Sequence, residues 1–289
     1  MFAPAPARLR RALGRALAPA LAAALLTGCS AASPASPSSS GATDPAGSAP
    51  QVLRPEAGAA FDYQLGGAYP PADGVRVVAR DRTAEPAPGT YGICYVNAFQ
   101  AQPDATRWWQ REHPELLLRD ADGELVIDED WDEALFDIST AAKRTALART
   151  VGRWIDGCAA SGFRAVEADN LDSYTRAKGL LRAADAVAFA KLLTARAHAA
   201  GLAMGQKNTA ELLPERRRVG FDFAVSEECA RYDECGAYAE AYDDRVFVVE
   251  YRAQDLERAC ARWAGTLSVV LRDRDLRPAG EKGHVRRTC

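Results

Sequence analysis

Short apolar runs recur along the chain at 61–65, 75–79, 91–98, 163–169, 202–207, 221–227, 246–251 and 267–272. Their length and β-branched content predict eight strands. Between the later runs the apolar spacing becomes helical. Residues 139–160 carry Leu147, Val151, Trp154, Ile155 and Cys158 at that spacing, and 185–200 carry Val187, Phe189, Leu192 and Leu193; 254–264 repeats the pattern. Strand–helix–strand alternation implies a parallel sheet with helices outside it. Eight such strands predict an α/β fold, a (β/α)8 TIM-type barrel. The gaps after the first two strands are too short for a helical crossover. The N-terminal part is therefore expected to be degenerate, with loops in place of helices. A doubly wound open sheet is the alternative, but no GxGxxG or GxxxxGK[ST] follows any strand.

The N-terminus has a different pattern. Arg8, Arg10, Arg11 and Arg15 precede an apolar stretch at 16–26 that is interrupted by Pro19 and ends in Leu26-Thr27-Gly28-Cys29. Such a stretch is too short to span a bilayer and fits a secretory signal over 1–28. The Leu-Thr-Gly-Cys sequence resembles a bacterial lipobox, which implies lipidation at Cys29. Residues 29–51 are mostly Ser, Ala, Pro, Gly and Thr and are expected to form a flexible tether. The folded domain is expected over 52–289. Its product would be exported, as a membrane lipoprotein facing outward or, without the lipid, as a secreted protein.

Composition narrows the function further. Of 289 residues 48% are hydrophobic and 26% charged, which excludes a mostly disordered chain. The net charge of −3 becomes −7 once the four signal arginines are removed. No nucleic-acid partner is expected of an acidic protein. Beyond Cys29 there are six cysteines, Cys94, Cys158, Cys229, Cys235, Cys260 and Cys289, an even number that suggests disulfides in an exported chain. Fifteen pairings are possible, and Cys229 and Cys235 are near enough to close a small loop. No CxxC pair exists and His113, His198 and His284 are scattered, so no metal site is expected.

Parallel barrels form their sites at the C-terminal ends of the strands. Those ends are polar here. One reads Glu167-Ala168-Asp169-Asn170-Leu171-Asp172, another Ser226-Glu227-Glu228, and others supply Asp62, Tyr95, Asn97, Lys207, Asn208, Glu250 and Tyr251. Strand alternation puts Glu167 and Asp169 on one side, and Val166 and Ala168 on the other. Converging carboxyls are the equipment of glycoside hydrolysis, which needs one protonated and one ionised acid and no cofactor. No GxSxG or HExxH competes. Trp108, Trp109, Trp131, Tyr95, Tyr174 and Tyr251 are candidates to meet the apolar faces of sugar rings, although core packing is the commoner use of such residues.

Several of these segments together resemble the endo-α-1,4-polygalactosaminidase family, glycoside hydrolase family 114, in its exported actinobacterial form. They are Ile93-Cys94-Tyr95-Val96-Asn97-Ala98-Phe99, Gly162-Phe163 with 166–174, Gly205-Gln206-Lys207-Asn208, 222–229 and Glu250-Tyr251. The resemblance spans roughly 61–289. It implies a barrel that cleaves a galactosamine-rich polysaccharide internally, with Asp169 as nucleophile or base and Glu227 as general acid. Relatives often have Asn before the second acid and Gln after it; here Ser226 and Glu228 take those places, so Glu228 competes with Glu227. Alternation favours Glu227 if Val225 faces inward. The residues expected to bind substrate are Asp62, Tyr95, Asn97, Glu167, Asn170, Asp172, Tyr174, Lys207, Asn208, Glu228, Glu250 and Tyr251. Two other functions fit the same residues: a lipid-tethered carbohydrate-binding protein on an inactive barrel, and a barrel glycosidase for another glycan.

Overall fold

The computed structural model describes residues 51–289. The expected signal, the expected lipidation site Cys29 and nearly all of the expected tether lie outside the described residues. The strands are β1 Phe61–Gln64, β2 Val77–Asp81, β3 Tyr91–Asn97, β4 Gln100–Ala101, β5 Ile127–Asp128, β6 Glu133–Leu135, β7 Ala165–Asp169, β8 Ala203–Lys207, β9 Phe223–Glu227, β10 Val246–Glu250, β11 Ser268–Arg272 and β12 Arg286–Thr288. The helices are α1 Thr106–Glu112, α2 Ala141–Ala160, α3 Ser173–Arg176, α4 Ala183–Ala199, α5 Arg216–Val219, α6 Cys229–Tyr232, α7 Cys235–Tyr242 and α8 Ala253–Trp263.

Eight strands pair in parallel and in chain order, β1-β2-β3-β7-β8-β9-β10-β11, and β12 adds antiparallel to the last. This is the (β/α)8-type barrel, and all eight predicted strands are in it. Alternation sorts their side chains. Phe61, Tyr63, Ile93, Ala165, Phe223, Val225, Phe247, Val249 and Val270 fill the interior, while Val96, Val166 and Met204 face the helical layer. Gly205 leaves room for the Phe223 ring, whose atoms would come within 2.7 Å of a Cβ placed there. As expected, β1, β2 and β3 are joined by loops without helices.

Helix α2 shows why the later half is regular. The Thr140 hydroxyl accepts from the Lys143 amide at 3.3 Å and caps its start. Leu147, Val151, Ile155 and Cys158 make one buried face, and Gly162 (φ +93°) turns the chain beyond its end. The Cys94–Cys158 disulfide fastens that face to β3. Cys229–Cys235 joins α6 to α7, and Cys260–Cys289 joins α8 to the end of the chain.

Two features depart from the sequence reading. Residues 100–135, between β3 and β7, hold a separate antiparallel sheet in the order β4-β6-β5, whose strands of two or three residues are too short to leave a period. The second departure concerns Asp62, expected at the substrate. It alternates with inward Phe61 and Tyr63 and lies fully buried in the seam where β1 runs beside β11. There it accepts from Tyr69 Oη (2.9 Å) and Gln64 Nε2 (2.9 Å) and faces the guanidinium groups of Arg286 (3.2 Å) and Arg272 (3.7 Å). Arg286 also donates to the Phe61 carbonyl at 3.0 Å. Side chains and this contact, in place of a strand ladder, hold the first strand against the eighth. Removing the anion leaves the buried Arg272, among the described residues, with only the Asp273 carboxylate, at 3.8 Å, and takes its carboxylate from Arg286. Asp62→Ala is expected to destabilise the fold by about 3–5 kcal/mol in urea unfolding.

Candidate active site

The polar strand ends meet at one side chain. Lys207, at the end of β8, is almost completely buried, and its Nζ lies 3.1 Å from Glu167 Oε1, 3.1 Å from Asp169 Oδ1 and 3.3 Å from Glu227 Oε2. Parity explains the convergence. Ala165, Glu167 and Asp169 share the inward side of β7, as Val225 and Glu227 share that of β9. Ser226 turns outward toward Tyr238, as alternation requires.

Each carboxyl has its own surroundings. Asp169 Oδ2 accepts from Tyr95 Oη (2.7 Å), and Oδ1 accepts from the Asn170 amide (2.8 Å) and Lys207 Nζ (3.1 Å). Burial alone would raise the Asp169 pKa, but the Lys207 charge and these hydrogen bonds hold it below the ordinary value. Glu227 accepts from Tyr251 Oη on Oε1 and from Asn208 Nδ2 (3.1 Å) on Oε2, while its amide donates to Asn208 Oδ1 at 2.7 Å. Glu167 has no exposed surface. It accepts from Tyr63 Oη at 2.6 Å, and burial, opposed by Lys207, pushes its carboxyl up to about 7. Burial would lower the Lys207 pKa, but Asp169 and Glu227 hold it well above the ordinary lysine range.

The other expected residues take different places. Asn170 and Asp172 line the cleft, and Asn97 is buried against Asn170. Asn170 (φ +65°) directs Nδ2 to Asn97 Oδ1 and Glu133 Oε2. Asp172 is gripped by Arg176 through both oxygens (2.8 and 2.9 Å). Tyr174 donates to Glu211 at 2.8 Å. Glu228 reaches the rim, but its Oε1 is shared by Arg231 (2.7 Å) and Arg274 (3.1 Å), so it is already neutralised. Asp62 and Glu250 fall outside the cleft. Glu250 is fully buried behind the Cys229–Cys235 loop, accepts from the Ala230 amide at 2.8 Å and leaves Oε2 without a partner; it shares the parity of Val246 and Val248, which face the helical layer. Glu167 supports the site from beneath and has no surface to offer a ligand.

The open cleft has two lobes. The inner one, about 460 Å3, is lined by Tyr63, Tyr95, Glu133, Asp169, Lys207 and Glu227. The outer one, about 510 Å3, is lined by Glu211, Glu227, Glu228, Tyr232, Glu234 and Tyr238. Trp131 and Arg274 border both. Sequence reasoning missed Glu133 as a site residue because it belongs to the non-periodic insert. Its carboxyl accepts from Asn97 Nδ2 at 2.7 Å, and burial pushes it up to about 7. Tyr63 and Arg274 could have been found by the strand-end rule, since they belong to the first strand and follow the eighth. Trp131 is 64% exposed and Trp108 36%, whereas Trp109 is buried core. Cys229, Cys235 and Glu250 cluster as metal ligands would, but both sulfurs are bonded to each other and hold no thiolate to offer. Asp169 and Glu227, facing one gap, can supply a stable anion and a second carboxyl to a reacting centre between them.

The sequence profile of glycoside-hydrolase family GH114 matches residues 42–289. Among solved structures, the chain is similar to Aspergillus fumigatus Ega3 in its complex with galactosamine, at 24% identity and a TM-score of 0.65, over 83% of this chain and 98% of that one. It is also similar to the glycoside hydrolase domain of PelA from Pseudomonas aeruginosa, at 17% identity and a TM-score of 0.55, over 77% of this chain and 96% of that one. At these identities the two structures bear on the fold. No protein of curated function matches the sequence.

Glu133, Glu167 and Glu250 are all raised from 4.5 to about 7. Such a carboxyl holds more protons folded than unfolded between those two values. Stability is then highest below the unfolded value and falls as pH rises through about 7. Glu250 lies apart from the cleft and isolates this effect. Urea unfolding at about pH 5 and about pH 8 is expected to show Glu250→Gln losing less stability between the two than the parent, by on the order of 2–3 kcal/mol. Equal losses would refute the assignment.

Proposed function

The chain belongs to glycoside-hydrolase family GH114, and we propose that it cleaves internal α-1,4 bonds of a galactosamine-rich polysaccharide, with Asp169 as nucleophile and Glu227 as general acid. The observation that carries this reading is the pair of carboxylates reaching one Lys207 ammonium in an open cleft. Three hydrogen-bond donors favour an ionised Asp169, the state a nucleophile needs. Its contact with Lys207 and that of Glu227 put the two bonded oxygens no more than about 6.4 Å apart, the sum of the contacts. Both acids are thus within reach of one glycosidic bond, and we take Asp169 as the nucleophile of a retaining reaction.

In this scheme Asp169 attacks the anomeric carbon while Glu227 gives its proton to the bridging oxygen. The C–O bond breaks and a glycosyl ester to Asp169 forms. Glu227, now ionised, takes a proton from water, whose oxygen attacks the same carbon and releases Asp169. Tyr251 and Asn208 fix the Glu227 carboxyl, and Tyr95 fixes Asp169. The substrate is drawn from the neighbours' chemistry and from the charge of the cleft. Ega3 binds galactosamine, whose ammonium suits an inner lobe bordered by the Asp81 carboxylate.

We also propose that the protein is exported and tethered through Cys29. Support comes from the arginine-rich, apolar, Leu-Thr-Gly-Cys order of the N-terminus and from three disulfides, which persist in oxidising compartments. Among the described residues no helix is long and apolar enough to cross a membrane.

The test is release of reducing ends from an α-1,4-galactosamine polymer. Asp169→Asn and Glu227→Gln are each expected to lose about 10³-fold or more in kcat with native circular dichroism, whereas Glu228→Gln stays within about tenfold of the parent. Binding of the polymer without cleavage by the parent protein would identify a carbohydrate-binding protein instead.

A further inference from the structure

The two lobes differ in which carboxyl they can reach. The inner lobe is bordered by Asp169 and Glu227, the outer lobe by Glu227 alone. A sugar attacked by Asp169 must therefore sit in the inner lobe. A sugar in the outer lobe is within reach of the acid and out of reach of the nucleophile, which is the position of the departing sugar in this reaction.

The outer lobe also has the chemistry of a saccharide site. Tyr232 is 59% exposed and lines this lobe, so ring surface is open to the apolar face of a sugar. It stands inside the loop closed by Cys229–Cys235, with the Arg231 guanidinium 5.1 Å from its ring centre. Trp131 borders the junction between the lobes. It rides on a turn whose Asp128 is held by Arg176 at 2.6 Å, so it is positioned before any ligand arrives. Glu211 and Glu234 line the same space. Among the described residues neither has a Lys, Arg or His partner within 4.0 Å. Burial and the proximity of Glu211 raise the Glu234 carboxyl.

We propose that the outer lobe is the leaving-group subsite, seating the sugar on the reducing-end side of the scissile bond with its ring against Tyr232 and a free ammonium toward Glu211 and Glu234. The inference rests on the glycosidase reading above and adds direction: the chain runs from the inner lobe, across Glu227, to the outer one. None of these three side chains touches the reacting carbon, so their loss weakens binding and shifts the point of cleavage while Asp169 and Glu227 remain in place.

The experiment uses an α-1,4-galactosamine oligosaccharide of defined length, labelled at its reducing end, with the full chain, Tyr232→Ala, Tyr232→Phe and the double variant Glu211→Gln/Glu234→Gln. For Tyr232→Ala and the double variant, KM is expected to rise about tenfold with kcat within about twofold, and the labelled fragments to change in length. Tyr232→Phe, which keeps the ring, restores the parent behaviour. On the N-acetylated oligosaccharide, which lacks the charge, the double variant is expected to match the parent. Variants that match the parent on the free amine overturn the inference and leave the glycosidase reading intact. Each cut yields one labelled and one unlabelled fragment, so labelled fragments that keep the parent's lengths also overturn it. A parent protein that leaves every oligosaccharide uncut removes the glycosidase reading and this inference together.

Discussion

One ammonium organises the centre of this barrel. Lys207 is buried among Glu167, Asp169 and Glu227, each on a different oxygen-bearing side chain at about 3 Å. Three carboxyls so close could not all ionise without a cation between them. The lysine permits Asp169 to stay charged, while Glu167, enclosed and bonded to Tyr63, is shifted the other way. Residues from four strands thus have to arrive in register, because a slip of one position would point the acids at the helices. The small interior side chains beneath, Ala165, Ala203 and Gly205, leave the large Phe223 and Phe247 to fill the middle of the barrel.

The strands were legible because period and length are local properties. All eight barrel strands follow from runs such as Val246–Glu250, and Asp169 and Glu227 follow from their place at strand ends and from the motifs around them. Two kinds of information were not local. Residues 100–135 fold through strands of two or three residues, with no alternation to detect, and so Glu133 could not be assigned. Asp62 and Glu250 share the composition and strand setting of the site acids. What separates them is which side of the strand they occupy, and at a strand of four or five residues a one-position uncertainty decides that. Partners also matter: the choice between Glu227 and Glu228 depends on Arg231 and Arg274, one of which lies 46 positions away.

The disulfides follow the same division of labour. Cys94–Cys158 spans 64 positions and joins the barrel wall to its longest helix, in a loop long enough to restrict the unfolded chain by about 4 kcal/mol in the chain-entropy picture. Cys229–Cys235 spans only 6 and contributes less to that term. Its place is local: it shapes the segment that follows Glu227 and carries Tyr232.

The seam between β1 and β11 has a mechanical meaning. The first strand is four residues long and hydrogen-bonds in the sheet only to β2, so it can detach without tearing a ladder on its other edge. Tyr63 would leave with it, removing the phenol that closes off Glu167 and contacts Lys207 at 3.2 Å. Water would then reach the lysine, and the carboxyls around it would lose the enclosure that shifts them. Docking of this one short strand is thus a latch on the polar heart of the enzyme.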